Sequence, residues 1–233
     1  MNSAIAASPL RAGVLQGPLA LDATSLADHT HLSALDRCCC LAEYLPGYCR
    51  AGHINQLIAD LKCKPSIAAV DPRRRRYKLQ AITDVAAALR AVVSRQRAES
   101  ATWVPIPPSR VTGDADYDDR LLRVLAKAFI GYDLDLRLLL YQTRSVDADH
   151  TRGQRLSMDA LGDIIRLDQI ALRIRPPREQ IVLFDDVLTS GKHYKCCARR
   201  LREFLPHIRI SGLFVARRVL PRRWRSIPDP TGV

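Results

Sequence analysis

The stretch Ile181–Phe184 is a continuous apolar run that stops at two adjacent acids, Asp185 and Asp186. A run of that kind fits a strand buried on both faces, the condition of a central strand in a parallel sheet. Val187, Leu188, Thr189, Ser190 and Gly191 then form a turn that closes on glycine. An amphipathic stretch follows, with Ala198, Leu201, Phe204 and Leu205 inside and Lys195, Arg199 and Arg200 outside. Strand, acids, turn and helix start together predict an open α/β sheet with its ligand at the carboxyl end of the strand.

The chemistry follows from that placement. A turn entering a helix aims unpaired backbone N–H groups at one spot, and the helix dipole favours an anion there. Gly191 lets the backbone approach a phosphate closely. The two carboxylates before it would repel phosphate but suit sugar hydroxyls or a magnesium ion. A ribose 5-phosphate meets both demands. A Walker A loop would need glycine where Asp186 stands and Ser or Thr where His193 stands, so that reading fails. Helix capping accounts for one acid and one hydroxyl, but not for both acids plus the glycine turn.

IVLFDDVLTSGKH at 181–193 resembles, without a gap, the thirteen-residue motif with which type I phosphoribosyltransferases bind phosphoribosyl pyrophosphate (PRPP). The resemblance implies the fold of that family: α/β, doubly wound, a mostly parallel sheet of four to five strands with flanking helices. It implies that Asp185 and Asp186 hold the ribose hydroxyls and, through water, Mg2+. The backbone from Val187 and Leu188 through Thr189, Ser190, Gly191, Lys192 and His193 would bind the ribose and 5-phosphate. The reaction implied is transfer of ribosyl 5-phosphate to a nucleobase or amine acceptor that the sequence does not name, with release of pyrophosphate.

A second segment, TWVPIPPSR at 102–110, reads as a strand broken by Pro107-Pro108. It resembles the pyrophosphate loop of the same enzymes, which commonly carries a cis or strained peptide; prolines make a cis bond accessible, at under ~1 kcal/mol. Pro107, Pro108, Ser109 and Arg110 would form this loop, with Arg110 catalytic beside Asp185 and Asp186. VPIPPSR is similar to the loop of the competence protein F family, which also opens with a helix ending in lysine, as HINQLIADLK does at 53–62. That family begins with a zinc ribbon of paired cysteines, absent from this chain.

The polar stretch 142–155 stands where the family has a flexible lid, making Arg144, His150, Arg152 and Arg155 its anion contacts. Two positions depart from the family. Thr189 stands where purine-salvage relatives often place an acid, which argues against a 6-oxopurine acceptor. His193 replaces a hydroxyl residue, and an imidazolium there is expected to bind phosphate. The superfamily also contains regulators that perform no transfer, and relatives in phage-defence operons, so a PRPP-sensing or nucleic-acid-associated protein is the alternative.

The 233 residues carry 36 Lys and Arg against 24 Asp and Glu, a formal charge of +12, which suits polyanions such as PRPP or nucleic acid. No apolar run approaches the ~18–20 residues of a membrane span, and Arg11 with several Gly and Pro breaks any signal-peptide core. The expected location is the cytoplasm, without membrane contact, and a homodimer is compatible with the composition. The chain divides into a weakly ordered tail (1–30), a helical extension packed on the core (31–100), the core (101–220) and a basic tail (221–233).

Seven cysteines, with no CxxC pair, argue against a disulfide framework or a zinc ribbon. Structural roles are expected and zinc is not; a site from Cys38, Cys40, Cys49 and His53 is the alternative. Helical spacing appears at Ile54–Leu61, over 79–97 and from Arg120 to Phe129. RRRRY at 73–77 reads as a basic surface segment and GDADYDD at 113–119 as a mobile acidic loop. A strand is expected through Leu136–Tyr141, a helix over 156–167, a short strand over 170–174 and the last core strand over 208–215.

Overall fold

The computed structural model describes residues 18–45, 53–146 and 156–220. Its strands are β1 (Leu19–Ala20), β2 (Arg37–Cys40), β3 (Glu43–Tyr44), β4 (Ala101–Pro105), β5 (Asp135–Leu136), β6 (Leu140–Gln142), β7 (Ile165–Leu167), β8 (Gln180–Leu188) and β9 (Arg209–Arg218). The helices are α1 (Ala23–Leu26), α2 (His53–Leu61), α3 (Pro65–Val70), α4 (Pro72–Val92), α5 (Arg95–Glu99), α6 (Arg120–Ala128), α7 (Met158–Ile164), α8 (Gln169–Ile174) and α9 (Lys192–Arg202).

Side-chain alternation along β8 sets the architecture. Ile181 and Leu183 face one hydrophobic cluster with Tyr194, Cys197 and Leu201 of α9 and Leu161 and Ile164 of α7. Val182 and Phe184 face the other, with Leu57 and Leu61 of α2, Val85 and Leu89 of α4, and Val124 and Leu125 of α6. A strand covered by helices on both sides is what a continuous apolar run requires. The result is an α/β fold whose sheet is mostly parallel: β5, β4, β8, β9 and β2 lie side by side in that order.

The main sheet has seven strands, more than the four to five expected. The excess comes from residues 19–44, assigned on composition to a tail and a helical extension. β2 pairs in parallel with β9, matching Cys38 to Gly212 and Cys40 to Phe214; β3 extends the same edge, and β1 adds antiparallel to β2. Cys38 and Cys40 are buried together while Cys39 points to the opposite cluster. The cysteine run thus carries the period of a strand, with thiols serving as small apolar groups. Burial raises the pKa of all three. Among the described residues no cluster of three or more His, Cys, Asp or Glu is placed to hold a metal; Cys49 lies outside them.

Other departures have local causes. α4 starts at Pro72 because Asp71 caps it, accepting the N–H groups of Arg73 and Arg74, so the basic run is helical and Leu79 is exposed. Residues 170–174 form helix α8, capped by Asp168 at Ala171 N, with Ile170 and Ile174 exposed. The 156–167 segment is helical only to Ile164, then pairs as β7 with β6 in a separate antiparallel ribbon. That ribbon also interrupts the strand expected through Leu136–Tyr141.

From β4 the chain passes through α6 to β5, on one side of β4. From β8, which pairs with β4 on its other side, it passes through α9 to β9, away from β4. Connections that diverge from adjacent parallel strands leave a crevice at their carboxyl ends, where open α/β sheets bind ligands. Among the described residues no helix is long and apolar enough to cross a membrane.

Candidate functional site

A cleft of about 370 Å³ opens at this switch point. One wall is the loop after β4, Ile106 to Thr112. A second is the end of β8 with Thr189 and His193, and Lys62, Tyr117–Leu122, Leu138 and Leu140–Gln142 complete it. All four residues expected to meet pyrophosphate, Pro107, Pro108, Ser109 and Arg110, border the same cleft as Asp185 and Asp186.

The loop after β4 is held at both ends. Ile106 N–H still donates to Phe184 O at 2.9 Å, so the chain leaves the sheet only at Pro107. Val146 N–H donates to Ser109 O at 2.7 Å, and Ser145 Oγ accepts from Val111 N–H and donates to Asp114. With these anchors the loop needs no cis bond; among the described residues every peptide is trans, against the expectation of a cis or strained one. Arg110 Nη1 lies 3.7 Å from Asp114 Oδ2.

Of the stretch 142–155 expected to form a lid, residues 142–146 are described, and they are tied to the body of the protein. Gln142 is buried in β6 and Val146 packs on the core. Arg144 is exposed and does not border the cleft; His150, Arg152 and Arg155 lie outside the described residues. The acidic loop 113–119 is likewise built in. Asp116 accepts from Ser66 N–H, and the buried Asp118 carboxylate pairs with Lys78 at 2.7 Å and Arg120 at 2.9 Å.

β8 runs through the acids to Leu188, because Val187 and Leu188 still pair with Ala216 and Arg217 of β9. Their backbone belongs to the ladder, so the turn expected to bind phosphate is shorter than the motif suggests and begins at Thr189. Lys192 is turned away, its Nζ donating to Leu156 O at 2.6 Å. Leu188, Ser190, Gly191 and Lys192 do not border the cleft; Thr189 and His193, on either side of the turn, do. Gly191 caps α9 at φ +84°, a left-handed conformation that suits glycine.

Strand alternation separates the two acids. Asp186 accepts from Lys62 Nζ on Oδ1 at 3.2 Å and from Arg120 on Oδ2, through Nε at 3.0 Å and through Nη2. Burial opposes its ionisation, but Arg120 and then Lys62 outweigh it and hold the carboxyl well below the usual carboxylate range. Asp185 has neither cation in hydrogen-bond contact; its Oδ1 accepts Asp186 N–H at 2.8 Å. Burial, followed by the charge of Asp186, pushes its carboxyl up to about 7. One acid is committed to cations of the protein, and the other is not.

This division decides the fit of magnesium. Mg2+ is commonly held by one or two carboxylates plus substrate phosphates and its own waters. Asp185 fits that role, since a cation near it relieves the repulsion that raises its pKa. Asp186 does not, because both of its oxygens already meet cations.

His193 also departs from expectation. Burial lowers its pKa to about 4, so it is a neutral imidazole at pH 7 rather than an imidazolium; its Nε2 lies 3.4 Å from Gln142 Nε2. Sequence reasoning gave no site role to Lys62 or Arg120. A signal for Arg120 existed: it is the first residue of a helix, where the dipole disfavours a cation, so a compensating acid was to be sought.

Compared with family models, with curated proteins and with solved structures, the chain shows no match to any of them.

Proposed function

We propose that the protein is a PRPP-binding phosphoribosyltransferase of the type I class, moving ribosyl 5-phosphate from pyrophosphate to a nitrogen acceptor. One observation carries this reading: two segments far apart in sequence, each matched to a PRPP contact, meet at one cleft at the topological switch point, 107–110 along its length and 185–193 through Asp185, Asp186, Val187, Thr189 and His193. In the reaction the bond from the anomeric carbon to pyrophosphate breaks and a bond to nitrogen forms. Positive charge builds on the sugar while negative charge builds on the leaving group, so catalysis is mainly positioning and electrostatics.

Asp185 accepts hydrogen bonds from the ribose hydroxyls and faces the developing positive charge. Arg110 and the backbone of 107–109 receive the departing pyrophosphate. The first turn of α9 takes the 5-phosphate, with His193 as a neutral hydrogen-bonding group. Arg120 keeps Asp186 ionised and fixed, and so keeps Asp185 in register beside it. Tyr117, Leu138 and Tyr141 give the cleft an apolar side that limits water, which would otherwise consume PRPP. Asp185 would be the residue to hold magnesium, which when bound would supply charge neutralisation for pyrophosphate.

Calorimetry with PRPP and magnesium tests binding, and a pyrophosphate-release screen over nucleobases and amines tests transfer. The expected result is magnesium-dependent binding that Asp185→Asn weakens at least about tenfold, or ~1.4 kcal/mol. Unchanged affinity in that variant would sink the site assignment. Binding without pyrophosphate release from any acceptor would favour the second reading, a PRPP sensor or nucleic-acid-associated regulator. The observation on its side is the exposed Arg73–Arg76, which among the described residues pair with no acid.

A further inference from the structure

The turn at 189–191 is held from outside the motif, by residues 29–36. The imidazole Nδ1 of His29 is hydrogen-bonded to Thr189 O. His31 N–H donates to Ser190 O at 3.0 Å. Leu32 lies over Gly191 so closely that a Cβ there would come 2.5 Å from Leu32 Cγ. Asp36 closes the clamp, accepting from Ser33 N–H at 2.9 Å and from Lys195 Nζ at 2.5 Å.

The direction of these bonds has a geometric consequence. In a planar trans peptide the C=O of one residue and the N–H of the next point in opposite directions. Drawing Thr189 O toward His29 turns the Ser190 N–H away from the clamp. Drawing Ser190 O toward His31 does the same to the Gly191 N–H. Two successive amides therefore share one direction, ahead of a left-handed glycine and a helix start, and such concavities bind anions.

His29 is fully buried, and its Nε2 has no hydrogen-bond partner among the described residues. Burial lowers its pKa. The neutral ring carries one proton, which must sit on Nδ1 to meet a carbonyl oxygen. Leaving a buried acceptor unsatisfied is unfavourable. An apolar residue would fill the space without that cost, but it could not hold the Thr189 carbonyl.

We propose that His29 is a positioning residue, which through Thr189 O aims the amides of Ser190 and Gly191 at the phosphate of the ligand. The proposal rests on the reading of 189–193 as the 5-phosphate turn. It gives the segment before the core a role in the site that its composition does not suggest.

The test uses the full chain and three ligands, each in the presence of magnesium: PRPP, ribose 5-phosphate and inorganic pyrophosphate. His29→Leu is expected to weaken PRPP and ribose 5-phosphate by about tenfold or more and to leave pyrophosphate, which meets the 107–110 loop, unchanged. His29→Asn, whose Nδ2–H stands where the imidazole Nδ1–H stood, is expected to retain both affinities. Equal binding by wild type and His29→Leu, or loss of pyrophosphate in parallel, would overturn the positioning role. If His29→Leu does not fold, His29→Gln takes its place: its amide lies one bond too far out, so the same losses are expected and unchanged binding is equally fatal. A wild-type chain that binds neither PRPP nor ribose 5-phosphate would instead overturn the transferase reading beneath it.

Discussion

Helices α6 and α4 both carry arginine in their first turn, and they differ in what surrounds it. α6 begins at Arg120 and α4 carries Arg73, Arg74, Arg75 and Arg76 directly after Pro72. In both places the helix dipole disfavours a cation, by about 0.3–1 kcal/mol each at exposed positions. At α6 the cost is offset inside the molecule: the Arg120 side chain, 14% exposed, reaches Asp186 and Asp118, which are 4% and 7% exposed. At α4 all four arginines are exposed, and no acid among the described residues pairs with them. The same residue type near the start of a helix is a buried structural element in one case and an open charge in the other. Burial of the partner, not the arginine itself, makes the difference.

The largest expected effect comes from breaking the buried side. Arg120→Met removes the main cation from Asp186 and leaves Asp118 with Lys78 alone. Removing one partner of a buried ion pair costs about 3–5 kcal/mol, because the remaining charge stays desolvated. Chemical denaturation should show that loss for Arg120→Met, and a change of under about 0.5 kcal/mol for Arg74→Met, a surface position. A loss of less than ~1 kcal/mol at Arg120 would mean that Lys62 alone suffices for Asp186, and the contrast would collapse.

An intermediate effect separates the two acids, and its sign differs between them. The folded pKa of Asp186 is depressed, so its contribution to stability is present above the unfolded carboxylate value and is lost as pH falls through the folded pKa. The folded pKa of Asp185 is raised to about 7, so its contribution is fully present below the unfolded value of about 3.9. That contribution disappears as pH rises through about 7. Asp185→Asn should therefore stabilise the chain at pH 8 by on the order of 2 kcal/mol while weakening PRPP binding. Asp186→Asn should destabilise it, since Arg120 and Lys62 lose their acid. Denaturation midpoints measured between pH 5 and 8 check both; equal signs for the two variants would remove the distinction between an acid committed to cations and one that is not.

What could be read in the sequence follows the same line. The strand Ile181–Phe184, helix α2 and the 120–128 helix were legible because their hydrophobic spacing is local. The two ligand-loop candidates were legible because each is a contiguous motif. Missed features depend on partners distant in sequence. Acids at 113–119 read as a mobile loop, yet Asp118 is sealed by Lys78 and Arg120. Residues 19–44 read as tail and helix, yet β2 is fixed by pairing with β9. The clamp of His29 on Thr189 has no local signature at all, since a lone histidine in a polar segment is compatible with any role.

The smallest effect on stability tests the open side of the comparison. Arg74→Glu together with Arg75→Glu places acids in the opening turns of α4, where the dipole favours them. If the arginines are only solvated charges, stability should stay the same or rise by a few tenths of a kcal/mol, and nothing else should change. If they meet a polyanion, wild type should bind single-stranded RNA or DNA with an affinity that falls steeply with salt, because each phosphate contact releases a counterion. The double reversal should then abolish that binding at moderate salt and spare PRPP, whose site lies in the cleft at the ends of β4 and β8. Measuring both ligands on one variant separates the two outcomes. Loss of nucleic acid with PRPP retained assigns α4 an external partner, and no nucleic-acid binding by wild type at low salt leaves its arginines as solvated surface.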